Sequence, residues 1–364
     1  MARCVRLVCR LTMAFATLAS IGCSASSPED IPSWYHPSKA HHSLNENGEI
    51  RFKNVHLQDK NKTFFDFMKM RFFGAAPWAN HASLAHTVST QTPNLQKILS
   101  PPDSPLVTWL GHSMFLIQYQ GKTILTDPIF SERASPVSFA GPKRYIPHPL
   151  DYSLLPDIDI VVISHDHYDH LDEKAIRSLG NTAHYYVPLG LKSWFLSKNV
   201  LNENISEMDW WDTVIIDENI TIEALPSQHW TARGLGDRFA SLWASWAITF
   251  SDFTVWFAGD TGYNSKVFKP IGEHLGTVDL ALIPIGAYAP RWFMQDYHVN
   301  PKEAVMIHQD LQAKRSIGMH WGTFPLTAEA PAEPAERLQE ALSELGLTSA
   351  EFGVLAIGES AEIK

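Results

Sequence analysis

Ile158-Asp159-Ile160-Val161-Val162-Ile163 runs straight into Ser164-His165-Asp166-His167-Tyr168-Asp169-His170. The first run is apolar and β-branched and reads as a buried strand. The loop after a strand can point several side chains at one spot. His165 and His167 are two apart, so in extended backbone they project to the same side. Asp169 and His170 follow once the chain begins to turn and can face a second point nearby. Imidazole with carboxylate suits zinc and its neighbours, whereas calcium takes oxygen ligands alone. The chain has 17 histidines, so one pair in a short window carries little weight. The pattern H-x-H-x-D-H at a strand end carries far more. The competing reading is a solvated polar loop rich in His.

Working outward, other strands end the same way. Ile220–Leu225 leads to His229, Phe253–Phe257 to Asp260, and Ser316–Met319 to His320. Strand-to-loop junctions are where α/β enzymes build sites. Alone, each of these residues reads as a buried His bonded to backbone, or as an Asp capping a helix. Their shared position makes them candidate ligands. Asp172 is placed to cap a helix running to Leu179, and helices are expected over Pro301–Leu311 and Ala335–Leu345. A last strand is expected over Phe352–Ile357.

The chain has 364 residues, 45% of them hydrophobic, which suits one large enzyme domain. Its net charge of -10 argues against nucleic acid as a partner, because phosphate binding is driven by Lys and Arg. No P-loop, dinucleotide fingerprint or G-x-S-x-G is found.

Residues 1–22 carry Arg3, Arg6 and Arg10, no acid, and the apolar run Leu11 to Ile21. This is the layout of a signal peptide, too short to span a bilayer comfortably. Ser20-Ile21-Gly22-Cys23 resembles a bacterial lipobox, whose Cys becomes the lipidated first residue. The cysteines are Cys4, Cys9 and Cys23, so cleavage leaves Cys23 alone, with no disulfide available. The expectation is a lipoprotein of the bacterial cell envelope, attached to the membrane through Cys23. Ser24 in the next position favours the outer membrane, facing the periplasm. Conventional cleavage near Gly22 or Ala25, leaving a soluble periplasmic protein, is the alternative. Residues 23–54 are polar, with Pro28, Pro32 and Pro37, and read as a tether and surface loop in which His36, His41 and His42 are exposed. Lys60 to Trp78 reads as a helix rich in Phe and Met. It either packs on the main body or forms a lip that guides acyl chains.

The ordered motifs resemble the metallo-β-lactamase superfamily, and within it the N-acyl-phosphatidylethanolamine-hydrolysing phospholipase D branch. They are Trp109-Leu110-Gly111-His112, Thr126-Asp127-Pro128-Ile129-Phe130, Gly141-Pro142-Lys143-Arg144, Pro226-Ser227-Gln228-His229-Trp230, Phe257-Ala258-Gly259-Asp260-Thr261-Gly262-Tyr263, Ile283-Pro284-Ile285-Gly286-Ala287-Tyr288 and His320-Trp321-Gly322-Thr323. The resemblance covers about residues 104–360 and implies an α/β fold, an αββα four-layer sandwich, with a hydrolase domain over 55–364. It implies two zinc ions. His165, His167 and His229 would hold the first, Asp169, His170 and His320 the second, and Asp260 would bridge them; Asp166 falls in a variable position. Asp169, Asp260 and His298 become the catalytic residues, and His298, Tyr288 and Trp292 the substrate side. Two zinc ions about 3.5–4 Å apart can activate a shared water as the attacking hydroxide. The expected substrate is a phospholipid, N-acyl-phosphatidylethanolamine, cleaved to phosphatidic acid and N-acylethanolamine. The same fold could instead open a lactone, carboxylic ester or β-lactam, or the chain could be a non-catalytic metal-binding lipoprotein.

Overall fold

Short apolar runs bounded by turn residues become the strands of two seven-stranded sheets. The computed structural model describes residues 32–58, 62–72 and 78–364. The expected signal segment, Cys23 and Phe73 lie outside those residues. A hairpin, β1 (His42–Leu44) and β2 (Ile50–Phe52), comes first. The first sheet takes β3 (Leu106–Gly111), β4 (Met114–Tyr119), β5 (Lys122–Thr126), β6 (Ile160–Val162), β7 (His184–Pro188) and β8 (Ile205–Met208). The second takes β9 (Thr213–Asp217), β10 (Ile220–Leu225), β11 (Ser245–Thr249), β12 (Thr254–Phe257), β13 (Val278–Pro284), β14 (Ala313–Met319) and β15 (Phe352–Gly353). The chain then crosses back, and β16 (Ser360–Glu362) pairs antiparallel with β3. The helices are α1 (Phe64–Phe72), α2 (His81–Leu84), α3 (Leu95–Leu99), α4 (Glu173–Leu179), α5 (Lys192–Ser197), α6 (Ser265–Leu275), α7 (Arg291–Met294), α8 (Pro301–Asp310) and α9 (Glu333–Leu345).

Side-chain alternation sets the layers. In β4, Phe115 and Ile117 join the core shared by both sheets. Met114 and Leu116 join a second cluster with Ile98 of α3, Ala175 and Ile176 of α4, and Phe195 of α5. Phe268 of α6, Ile307 of α8 and Leu338 of α9 belong to the core that holds the second sheet. Sheets buried on both faces explain why the strands read as continuous apolar runs. The result is the αββα sandwich. Asp172 caps α4 as expected, accepting from the Lys174 and Ala175 amides. The expected strand over Phe352–Ile357 stops at Gly353, and β8 was not legible, because Ile205-Ser206-Glu207-Met208 shows neither alternation nor an apolar run. Among the described residues no helix is long and apolar enough to cross a membrane.

The tether and surface loop expected over 23–54 is a correction in its described part. Phe52 is buried in the core, and its amide donates to the Phe239 carbonyl at 2.8 Å. His41 and His42 are buried, not exposed; His36 is exposed. Both converge on Asp209: His41 Nε2 lies 2.6 Å from Oδ1, His42 Nε2 3.1 Å from Oδ2, and Lys39 Nζ 2.5 Å from Oδ2. Burial alone would raise the Asp209 carboxyl, but hydrogen bonds from His41 and Lys39 hold it down to about 2. His41, His42 and Asp209 could surround a metal ion. However, His42 Nδ1 accepts from the His36 amide at 3.0 Å, so the ring proton sits on Nε2 and leaves no lone pair there. The cluster is an ion-paired clasp. Removing one partner of such a buried set costs about 3 kcal/mol. Asp209→Ala is therefore expected to lower the denaturation midpoint and to admit proteases between residues 36 and 54; an unchanged midpoint and cleavage pattern would contradict the clasp.

The helix expected over Lys60–Trp78 is seen as α1, Phe64–Phe72. Met70 is buried, while Phe65, Phe67 and Phe72 are 82%, 45% and 61% exposed. Met70 thus faces the body, while much of these three rings faces solvent.

Candidate metal centre

The loop after β6 is folded by its own backbone. The His170 and Leu171 amides donate to the His167 carbonyl at 3.0 and 2.9 Å. The Arg233 guanidinium ties its outer side, donating to the carbonyls of Asp166 and Leu171. Asp166 turns away to accept from the Ala232 amide and the Ser241 hydroxyl. His229 arrives four residues after β10, Asp260 three after β12, and His320 one after β14. Glycine is required beside Asp260: a Cβ on Gly262 would lie 2.3 Å from the Asp296 carbonyl oxygen.

Two groups of donor atoms result. In the first, His167 Nδ1 lies 2.9 Å from His165 Nε2 and 3.3 Å from His229 Nε2. His229 Nδ1 donates to the Tyr297 carbonyl at 3.0 Å, which leaves its Nε2 as a lone pair. In the second, Asp169 Oδ2 lies 3.4 Å from His170 Nε2 and 3.3 Å from His320 Nε2. His170 Nδ1 donates to Asp127 Oδ2 at 2.6 Å. Asp260 Oδ2 reaches both groups, 3.2 Å from His170 Nε2, 3.1 Å from His320 Nε2 and 3.8 Å from His229 Nε2.

The two groups differ electrically. Burial holds the imidazoles of His165, His167 and His229 far below the usual value, the last two at about 3, so all three are neutral lone-pair donors. Burial would lower His170 and His320 as well, but Asp260 and Asp169 overcome it, raising His320 to about 9 and His170 well above its usual value. Burial likewise would raise both carboxyls, and the His170 charge instead holds Asp169 and Asp260 well below the carboxylate range. Buried His170 Nε2, His320 Nε2 and Asp260 Oδ1 have no hydrogen-bond partner among the described residues. Converging lone pairs and orphaned buried atoms fit a cation at each group, and imidazole with carboxylate is a zinc-type donor set.

The model of the beta-lactamase superfamily domain matches residues 122–321. The chain belongs to the metallo-β-lactamase superfamily. This superfamily member is 46% identical over 243 residues to an N-acyl-phosphatidylethanolamine-hydrolyzing phospholipase D 1 of Caenorhabditis elegans, a match covering 64% of this chain and 68% of that one. It is 43% identical to an uncharacterized protein of Mycobacterium tuberculosis over 64% of this chain and 62% of that one. It is 40% identical to the mitochondrial N-acyl-phosphatidylethanolamine-hydrolyzing phospholipase D of Saccharomyces cerevisiae over 66% of this chain and 52% of that one. The chain thus spans between half and just over two thirds of these relatives. Two solved structures share the fold. A metallo hydrolase from Ignicoccus hospitalis has a TM-score of 0.54 at 22% identity, over 72% of this chain and 99% of the other. An isothiocyanate hydrolase from Delia radicum gut bacteria has 0.58 at 20%, over 70% and 98%.

Of the residues expected on the substrate side, the superfamily member brings one to the centre. His298 Nδ1 lies 3.8 Å from Asp260 Oδ2, and its ring is 5.1 Å from that of His229. Tyr288 is a correction. It is buried and its hydroxyl donates to Glu333 of α9 at 3.0 Å, because the chain turns away after β13. Trp292 is 47% exposed beneath Lys69 of α1, near the rim and not among the donors. Two residues were missed. Asp127 accepts from His170 Nδ1, the Ser164 amide and the Ser164 hydroxyl. His112 Nε2 lies 2.9 Å from Asp169 Oδ2. Both follow strand ends, β5 and β3, so the rule that found His229 and Asp260 could have found them. His112, Asp127 and His320 all take positive φ, at 54°, 33° and 60°, a backbone region that side chains rarely adopt. A large cavity of about 840 Å³ lies elsewhere, lined by Tyr168, Trp194 and Arg233 and by none of the seven candidate donors.

Proposed function

We propose that this protein is a zinc-dependent phosphodiesterase of the phospholipase D type, cleaving N-acyl-phosphatidylethanolamine to phosphatidic acid and N-acylethanolamine. The observation that carries this reading is the 46% identity to an enzyme of that name in a chain whose seven candidate donors converge in two adjoining groups. His165, His167 and His229 would hold one zinc, Asp169, His170 and His320 a second, with Asp260 shared. Bound zinc supplies Lewis acidity toward a water and toward the phosphoryl oxygens. His170 is oriented through its Nδ1 by Asp127, and His229 through its Nδ1 by the Tyr297 carbonyl. Burial holds His298 at about 3, so it is a neutral imidazole able to donate one hydrogen bond to a diester oxygen.

The rim suits acyl chains. α1 is tied to the segment that carries His298, since Lys62 donates to the Phe293 carbonyl and pairs with Asp296 at 3.1 Å. Exposed Phe65, Phe67, Phe72 and Trp292 lie among Lys62, Lys69 and Arg71, a cationic and apolar mixture suited to a phospholipid surface. Acylation of Cys23 at the outer membrane, facing the periplasm, belongs to the same proposal and would set the enzyme beside its substrate.

The test is hydrolysis of N-acyl-phosphatidylethanolamine by metal-stripped and zinc-reloaded protein. Zinc-dependent release of phosphatidic acid is expected. Zinc binding without release would move the reading to a lactone or carboxylic ester. Phe65→Ser with Phe72→Ser is expected to raise the KM for long-chain lipid about tenfold, on the order of 1.4 kcal/mol of lost apolar burial, and to spare short-chain analogues. An equal effect on both chain lengths would assign these rings to folding.

A further inference from the structure

We propose that His112 is a positioning residue, whose Nε2–H holds Asp169 Oδ2 in place for the second metal. The contact is 2.9 Å and part-buried, with His112 itself almost fully shielded. An ionised carboxylate carries no proton, so the hydrogen in this bond belongs to the imidazole. That fixes the Nε2–H tautomer, and a protonated Nε2 offers a metal no lone pair. His112 therefore orders a ligand without being one, although its ring lies among Asp169, His170 and His320.

The backbone of His112 is braced for this work. Its amide donates to the Thr323 hydroxyl at 2.9 Å, and its carbonyl accepts from the Trp109 indole at 2.9 Å and from the His320 amide at 3.0 Å. The last bond links it directly to another candidate ligand. The left-handed φ of 54° turns the side chain sharply off the end of β3. His170 Nε2 and His320 Nε2 lie 3.4 and 3.3 Å from Asp169 Oδ2 without hydrogen-bonding to it, free to turn their lone pairs to a metal. Among the described residues His112 then remains as the hydrogen-bond donor on that oxygen. Donors that orient a metal-bound carboxylate are worth about ten- to a hundredfold in metal affinity.

The test compares His112→Ala and His112→Gln in zinc-loaded protein dialysed against graded chelator, with zinc content and cobalt-substituted absorption as readouts. Ala is expected to loosen one of two zinc ions by about ten- to a hundredfold and to leave the other, since it removes the donor. Gln keeps an N–H and is expected to retain both within about threefold. Ala with wild-type zinc affinity overturns the proposal. Gln losing the second zinc as Ala does also overturns it, making His112 a ligand. If Ala fails to fold, the Gln result decides alone. The inference rests on the zinc hydrolase reading. Wild-type protein that binds no zinc sinks that reading, whereas wild-type affinity in the Ala variant sinks only this one.

Discussion

Asp260→Ala is expected to lose more than a hundredfold in hydrolysis, beyond the roughly ten- to hundredfold that loss of a supporting partner costs. It is also expected to lose bound metal, while the metal-free variant keeps the circular dichroism of the parent. The reason is position. One carboxylate oxygen lies between 3.1 and 3.8 Å from His170, His229, His298 and His320 and is 97% shielded from solvent as a residue, with 3% exposure. Asp127 also lies near His165 and His170, but its oxygens accept from His170 Nδ1 and from the Ser164 amide and hydroxyl, on the far side of those rings. Removing it leaves the His170 and His320 charges with Asp169 and Asp127 alone. Asp260→Asn separates charge from shape: it keeps the volume and one oxygen, and is expected to resemble Ala in metal content. Zinc analysis and steady-state rates provide the check; a variant with two zinc ions and the parent rate would remove Asp260 from the shared position.

Zinc should be released unevenly as the pH falls. The group of His165, His167 and His229 is neutral at physiological pH and has no proton to displace. The other group carries protons on His170 and His320, and a metal must replace both. Each proton costs up to tenfold in affinity per pH unit below the raised value, so from pH 8 to pH 6 this site is expected to weaken by about a hundredfold through His320 and further through His170, and the other by little. The metal-free protein behaves in the opposite sense. A His320 raised from 6.5 to about 9 contributes about 3 kcal/mol, fully present below pH 6.5 and lost as the pH rises through 9. Asp169 and Asp260, held low, contribute stability above about pH 4 that is lost in acid. Metal-free protein should therefore melt several degrees lower at pH 9 than at pH 6.5. The gap to the zinc-loaded protein should widen over the same range. Parallel melting curves across that range would show that the protons are not where the two carboxylates place them.

The sequence by itself determined the strand ahead of Ser164, the H-x-H-x-D-H loop and the recurrence of His or Asp at strand ends. Local patterns suffice there, because a strand buried on both faces must be apolar throughout and its end must change composition abruptly. The Asp172 cap of α4 was legible for the same reason. The tertiary structure alone decided which strand ends meet. His112 and Asp127 share the strand-end position of His229 and Asp260, but their roles exist only because β3 and β5 lie in the same sheet as β6. It also decided the fate of His41 and His42. Their partner, Asp209, is 168 residues from His41, and no periodicity in a Pro-rich stretch can report a contact so distant. Tyr288 failed in the opposite direction: a motif at a strand end suggested the site, and one hydrogen bond to α9 turned the ring away. Local sequence sets which residues can be buried or can ligate; long-range packing sets which face one another, and a metal centre is a property of that facing.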